Sequence, residues 1–293
     1  MTSRPLDCGT SQTFRASREL DVLIPTRHRP AELAVTLSGL AAQSGTPFGV
    51  VVSDQSDDEP SWAHPAAAAM VRLLRHRGHP VLLTRRLPRR GLAEHRAFLL
   101  AQSLARCVLC LDDDVYLEPG TVRRLVDALR ELRCGFVGSA PHGLSYRDDV
   151  RPGTHDRYEE WPGRPEPERL EPGTGEWDRV QLHSAANLLH VTEGLGIPDG
   201  QWRAYKVSWV GGCVLYDREK LLAAGGFDFW WRLPPDHQGE DAAAQLAVMR
   251  RYGGAGIVPS GAYHLESPTT VTERRMEAWE LLFTGDVPAT RTA

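Results

Sequence analysis

Apolar residues occur early in the chain as short unbroken blocks, Val22–Ile24, Val50–Val52, Val81–Leu83 and Cys107–Leu111. Blocks this short, rich in Val and Leu and bounded by polar residues, predict strands buried on both faces. Between them, Ala31–Ala42, Ala66–Arg77 and Leu92–Ala105 carry helical spacing. Strands and helices in alternation predict right-handed βαβ units, and so a doubly wound, mainly parallel α/β sheet. A helix at Thr121–Leu132 and a strand at Gly135–Val137 continue the series. From Ser139 to about Lys206 the pattern breaks into Pro, Gly and charged residues, and only Val180–Gly194 keeps helical spacing. That stretch reads either as a disordered surface insertion or as a partly ordered lid over an acceptor. Regular patterning returns with a strand at Trp209–Tyr216, a helix at Asp217–Ala224, a helix opening at Gly239, a strand near Gly256–Val258 and a last helix at Val271–Phe283. No internal repeat is visible.

Composition changes this picture only by exclusion. With 293 residues, 41% hydrophobic and 25% charged, the chain has ample material for a buried core. A net charge of -4 argues against a general nucleic-acid binder. No apolar stretch approaches the roughly 20 residues that span a bilayer, and the polar N-terminus lacks an apolar signal region. The expectation is therefore a cytoplasmic protein without a transmembrane segment. The five cysteines are irregularly spaced, which fits a reducing compartment. Cys107 and Cys110 form a C-x-x-C inside a predicted strand, where they read as core thiols rather than metal ligands.

Candidate chemistry lies at the strand exits. In an open parallel sheet, ligands bind at the carboxyl ends of the strands. Here those ends read Pro25-Thr26-Arg27-His28-Arg29, Ser53-Asp54-Gln55-Ser56-Asp57-Asp58, Thr84-Arg85-Arg86 and Asp112-Asp113-Asp114. Three adjacent carboxylates repel one another, and a divalent cation such as Mg²⁺ or Mn²⁺ would relieve this while leaving positions for phosphate oxygens. The alternative is a solvated acidic turn at the start of the next helix. Neither a dinucleotide-binding G-x-G-x-x-G nor a phosphate-binding G-x-x-x-x-G-K-[ST] is present, so metal and arginine must meet any phosphate charge.

These residues resemble the glycosyltransferases of the GT-A fold, most closely those of family 2. "LDVLIPTRHRPAELAVTLSGLAAQ" is similar to that family's opening strand, turn and helix, and "VVSDQSDD" to its VDDGSxD segment. "RGLAEHRAFLLAQS" resembles the segment ending in Ala-Arg-Asn, and "CVLCLDDDVYLEPG" the strand with the DxD motif. "WVGGCVLYDREKLLAAGGFD", "GEDAAAQLAVMRRYGG" and "GAYHLES" follow in the family's order. The resemblance implies one continuous GT-A domain: a Rossmann-like nucleotide-sugar-binding half at 1–138, an insertion at 139–207 and an acceptor-binding, catalytic half at 208–293.

It also implies roles. Pro25, Thr26 and Arg27 would line the nucleotide site, Asp54 would meet the base, and Arg96 would lie near the nucleotide. Asp112 and Asp114 become the DxD pair, with Asp114 the direct metal ligand, Asp112 or Asp113 nearer the ribose and His264 completing the metal shell. Asp241 matches the base of inverting members. The chain departs from the pattern at Ser53, which stands for the first Asp of the pair, and at Ala97, which stands for Asn. The implied activity is metal-dependent, inverting transfer of a sugar from a nucleoside diphosphate sugar, with a UDP-sugar favoured, to a small-molecule, carrier-bound or glycan acceptor. Six of the eight tryptophans fall between Trp161 and Trp231. Trp209, Trp230 and Trp231, with Glu240, are the candidates for an acceptor wall, since aromatic faces suit sugar C–H groups. Two rivals stay open. A haloacid-dehalogenase-like phosphohydrolase also uses Asp-x-Asp, though after its first strand, and a non-catalytic nucleotide-sugar-binding module would keep the DxD and lose the base.

Overall fold

β1 (Leu20–Thr26) and β2 (Gly49–Asp54) are buried along their whole length. Their side chains alternate between two cores: Val22, Ile24, Val50 and Val52 face one, Leu23 and Val51 the other. A strand covered on both faces needs no polar alternation, which is why the sequence reads there as solid apolar blocks. The computed structural model describes residues 18–269 and 276–282.

The remaining elements are α1 (Pro30–Ala41), α2 (Pro65–His76), β3 (Val81–Arg85), α3 (Leu92–Ala101), β4 (Cys107–Leu111), β5 (Val115–Leu117), α4 (Thr121–Leu132), β6 (Phe136–Gly138), β7 (His142–Gly143), α5 (Pro152–His155), α6 (Asn187–Leu195), β8 (Arg203–Tyr205), β9 (Cys213–Asp217), α7 (Arg218–Ala223), β10 (His237–Gln238), α8 (Glu240–Tyr252), β11 (Gly254–Val258), β12 (Ala262–His264) and β13 (Met276–Glu277). The central sheet runs β3-β2-β1-β4-β9-β6-β11-β8. Its first four strands are mutually parallel, β9 lies antiparallel between β4 and β6, β6 and β11 are parallel, and β8 closes the far edge antiparallel to β11. Leu33, Leu37, Val71, Leu125 and Leu129 from α1, α2 and α4 fill one core. Leu99, Leu221, Leu246 and Met249 from α3, α7 and α8 fill the other. The sheet is therefore covered on both faces, as the alternation of strand and helix predicts.

Several expectations change. The helix predicted to reach Ala105 stops at Ala101, because Ser103 turns back to donate its hydroxyl proton to buried Asp21 at 2.6 Å. The strand expected from Trp209 begins only at Cys213: Gly212 is left-handed (φ 70°), and the preceding loop is held by the buried Gln245 amide, which donates to the Val210 carbonyl at 2.7 Å and accepts from its N–H at 2.8 Å. The helix expected over Val180–Gly194 divides into a 3-10 turn at Trp177–His183 and α6, with Ala185 left-handed between them. Of the last expected helix, residues 271–275 and Phe283 lie outside the described residues; Met276–Glu277 is a strand paired with β10, and Ala278–Leu282 is a 3-10 turn. The insertion is ordered rather than loose. Its Leu170, Leu182, Leu188 and Tyr205 are buried in the α3–α8 core, and its β8 joins the central sheet. The cysteines of C-x-x-C are free and buried, and burial pushes Cys110 up to about 12, as expected of core thiols.

Candidate active site

The exits of β1, β2 and β4 open into a cleft of about 370 Å³ lined by Pro25, Thr26, Arg27, Arg29, Gln55, His95, Asp112, Asp113, Asp114 and His264, among others. β1 lies between β2 and β4 in the sheet, so its Pro25-Thr26-Arg27 exit forms the floor. Asp112 is fixed where β4 ends, its N–H donating to the Gly212 carbonyl at 2.8 Å. β5 then pairs with β12, and this register brings His264 opposite Val115, beside the acidic run.

Arginines answer the mutual repulsion of the three carboxylates. Arg96 donates to Asp112 Oδ1 at 2.7 Å, and Arg29 donates to Asp113 Oδ1 at 3.2 Å and to Asp114 Oδ2. Even so, burial pushes Asp113 up to about 7, and burial together with the Asp112 charge raises Asp114. The polar exit of β1 marked Arg29 as cationic, but nothing local in the sequence pairs it with residues more than eighty positions away.

Arg96 also ties the two halves of the site together. It is buried, and its Nε donates to Glu240 Oε1 at 2.8 Å while Nη2 holds Asp112. Burial works against the charge of this guanidinium, and Asp112 and Glu240 outweigh it, raising its pKa well above the ordinary value. Asp241 follows Glu240 at the start of α8, after left-handed Gly239 (φ 72°). That left-handed φ is what favours glycine at the helix start; an added Cβ would also have to displace the end of the Glu277 side chain, 2.6 Å away. Burial and the neighbouring Glu240 charge push Asp241 up to about 7, with Arg96 opposing. The helix N-terminus, which would favour a low value, is outweighed by burial.

Other expected site residues stand differently. Asp54 does not line the cleft: it is fully buried, and its carboxylate accepts the N–H groups of Ser56 at 2.5 Å and Ser61 at 2.8 Å. Both oxygens are engaged in shaping the loop after β2, so Gln55, not Asp54, faces the ligand space. Arg96 lies behind Asp112 rather than on the cleft surface, and Glu240 is taken up by Arg96 rather than turned to an acceptor. Trp230 packs beside Ala93, Leu233 and Ala243, Trp231 is half exposed, and neither lines the cleft. Trp209 meets Trp177 edge-on at 5.3 Å, and Trp177 meets Trp279 at 4.9 Å. This tryptophan trio adjoins the start of α8, where a Cβ on Gly239 would lie 3.0 Å from Trp279 Cδ1.

Whether the site suits a divalent cation turns on its donors. Among the described residues, no three His, Cys, Asp or Glu side chains converge on one point. Asp114 offers a hard carboxylate beside the space where a diphosphate would lie, and Mg²⁺ or Mn²⁺ needs only one or two protein carboxylates when phosphate supplies the rest. The acidic run fits in that sense. The expected third ligand does not: His264 Nδ1 accepts the Glu266 N–H at 2.8 Å, which leaves the ring proton on Nε2, turned towards Asp114 Oδ2 at 3.5 Å. Held this way, His264 is a donor to anions rather than a metal ligand.

The family model for glycosyl transferase family 2 matches residues 21–181. The chain belongs to that family. The chain shares its fold with a mannosyltransferase from Pyrobaculum calidifontis solved with GDP-Man and Mn²⁺ (18% identity, TM-score 0.50, 86% of this chain and 60% of that one). It also shares it with residues 1–349 of S. aureus TarS in complex with UDP-GlcNAc (16% identity, TM-score 0.51, again 86% and 60%). The chain thus spans about 60% of the length of each. No curated protein matches it significantly in sequence. No helix among its described residues is long and apolar enough to cross a membrane.

Proposed function

We propose that this glycosyltransferase transfers a sugar, with inversion, from a nucleoside diphosphate sugar to a hydroxyl or amine of a small-molecule, carrier-bound or glycan acceptor, with Asp241 as the base. The observation that carries the reading is a partly exposed carboxylate that desolvation and its neighbour Glu240 push up to about 7, with Glu240 itself held through Arg96 to Asp112. A base of that strength is deprotonated often enough near neutral pH and still accepts a proton readily. The acceptor oxygen or nitrogen attacks sugar C1 as the bond from C1 to the diphosphate oxygen breaks, and the acceptor proton passes to the Asp241 carboxylate. Negative charge gathers on the departing diphosphate, where Arg29 and the Nε2–H of His264 face the cleft and can donate to it. Asp114 would hold Mn²⁺ or Mg²⁺, which supplies counter-charge to the diphosphate when bound. Arg29, which here holds Asp113 and Asp114, would then be free to donate to phosphate oxygens. The Trp177–Trp209–Trp279 trio, next to the start of α8, supports an aromatic wall for the acceptor.

Calorimetric titration with UDP, GDP and dTDP, with and without Mn²⁺, tests the donor side. We expect Mn²⁺ to tighten one diphosphate at least tenfold, and Asp114→Ala to remove that gain. If none of the three binds, or if Asp114→Ala keeps the full Mn²⁺ effect, this account of the site is wrong.

A further inference from the structure

At the β2 end of the cleft, two buried side chains keep polar atoms without a partner. Gln55 is 3% exposed and His95 2% exposed. Gln55 Nε2 and His95 Nε2 have no hydrogen-bond partner, and both residues line the cleft. Such orphaned groups are rare in folded proteins, because each forfeits a hydrogen bond it made in water. Their chemistry is complementary. The Ser53 backbone favours the protonated ring, as a carbonyl near a ring N–H does, which assigns the proton to the nitrogen on that side and leaves the unpartnered Nε2 as an acceptor. Burial, with Arg96 nearby, keeps the ring neutral. Gln55 Nε2 is a donor.

Topology says which part of a nucleotide meets them. Gln55 follows β2 and the acidic run follows β4, with β1 between. Two strand spacings are about 10 Å, roughly the reach from a nucleobase to its phosphates. The apolar faces of Pro25 and Leu92 also line this cleft, as a planar ring requires.

We propose that His95 and Gln55, rather than Asp54, read the nucleobase of the donor, and that they select a ring N–H flanked by a carbonyl: the edge of uracil, thymine or guanine, and not that of cytosine or adenine. The ring N–H donates to His95 Nε2, and the adjacent carbonyl accepts from Gln55 Nε2. This assignment rests on the nucleoside diphosphate reading above. Asp54 is fully buried, its carboxylate turned to the Ser56 and Ser61 N–H groups, and it does not line the cleft.

The test is competition binding at fixed Mn²⁺ with UDP, dTDP, GDP, CDP, ADP and N3-methyl-UDP, on the wild type and on Gln55→Leu and His95→Phe. For the better of UDP and GDP, affinity should exceed that for CDP and ADP by at least 30-fold. N3-methylation should cost UDP at least tenfold, a comparison that needs no variant. In Gln55→Leu or His95→Phe the gap between UDP and CDP should shrink at least fivefold. Equal binding of all the nucleotides would overturn the edge-reading proposal and leave the diphosphate site standing. A preference for UDP that is unchanged in both variants would likewise overturn it. Binding of none would instead remove the nucleotide reading on which it rests.

Discussion

Asp241→Asn is expected to lower transfer by roughly 10²–10⁴-fold, the usual worth of a positioned base, while leaving nucleotide affinity within twofold. In the wild type, activity should rise as pH passes through about 7, where this carboxylate loses its proton; the residual activity of the variant should lack that rise. Stability moves in the opposite sense. Because the folded pKa lies above the unfolded one, the native state binds the extra proton between about pH 4 and pH 7. Its stability contribution is present in full below the unfolded value and is lost as pH rises through the folded value. Asn carries no such penalty, so at pH 8 the variant should melt several degrees above the wild type, and at pH 5 the difference should narrow. Thermal melts at the two pH values, alongside a rate profile, check both halves. Near-normal turnover in the variant would remove Asp241 from the base role, and an unchanged melting temperature at pH 8 would mean that the carboxylate is better solvated than its surroundings imply.

Arg96→Met should be the most destabilising single change at the site. The guanidinium is buried and holds Asp112 at 2.7 Å and Glu240 at 2.8 Å, with Asp241 adjoining. Removing one member of a buried ionic group typically costs about 3–5 kcal/mol; Glu240 keeps its burial and loses its counter-charge, while Asp112 is 34% exposed and is screened by water, so the low end, about 3 kcal/mol, is expected. Arg96→Lys should recover only part of this, since an ammonium cannot present the planar fork that reaches both carboxylates. Urea denaturation of the two variants gives the comparison. A Met variant as stable as the wild type would show that the carboxylates take up protons or water without cost.

How much of this was legible beforehand divides along one line. The sheet was readable because strands buried on both faces leave unbroken apolar blocks, and α4 matched its predicted bounds because its apolar stripe is strictly periodic. The location of the site followed from the strand exits. The partners of each polar residue did not. Arg96 and Glu240 are 144 positions apart, and no local pattern announces that Glu240 will be consumed by an arginine instead of meeting an acceptor. Asp54 sits where the family pattern expects a base reader, yet its loop needed two backbone N–H groups satisfied, and that local demand turned its carboxylate inward. Gln55 and His95 line the pocket that Asp54 does not reach. For the insertion, scattered Pro and Gly concealed a few well-placed anchors, Leu170, Leu182, Leu188 and Tyr205, which a count of composition cannot weigh.

Those anchors give the insertion a protective role as well. Through β8 it covers β11, Gly254–Val258, whose five residues carry no charge and no proline. A bare edge of that kind is a template for strands of other molecules. The segment most easily mistaken for an ornament therefore keeps neighbouring copies from adding on to the sheet, and a shortened enzyme lacking it would carry an adhesive border in place of a finished one.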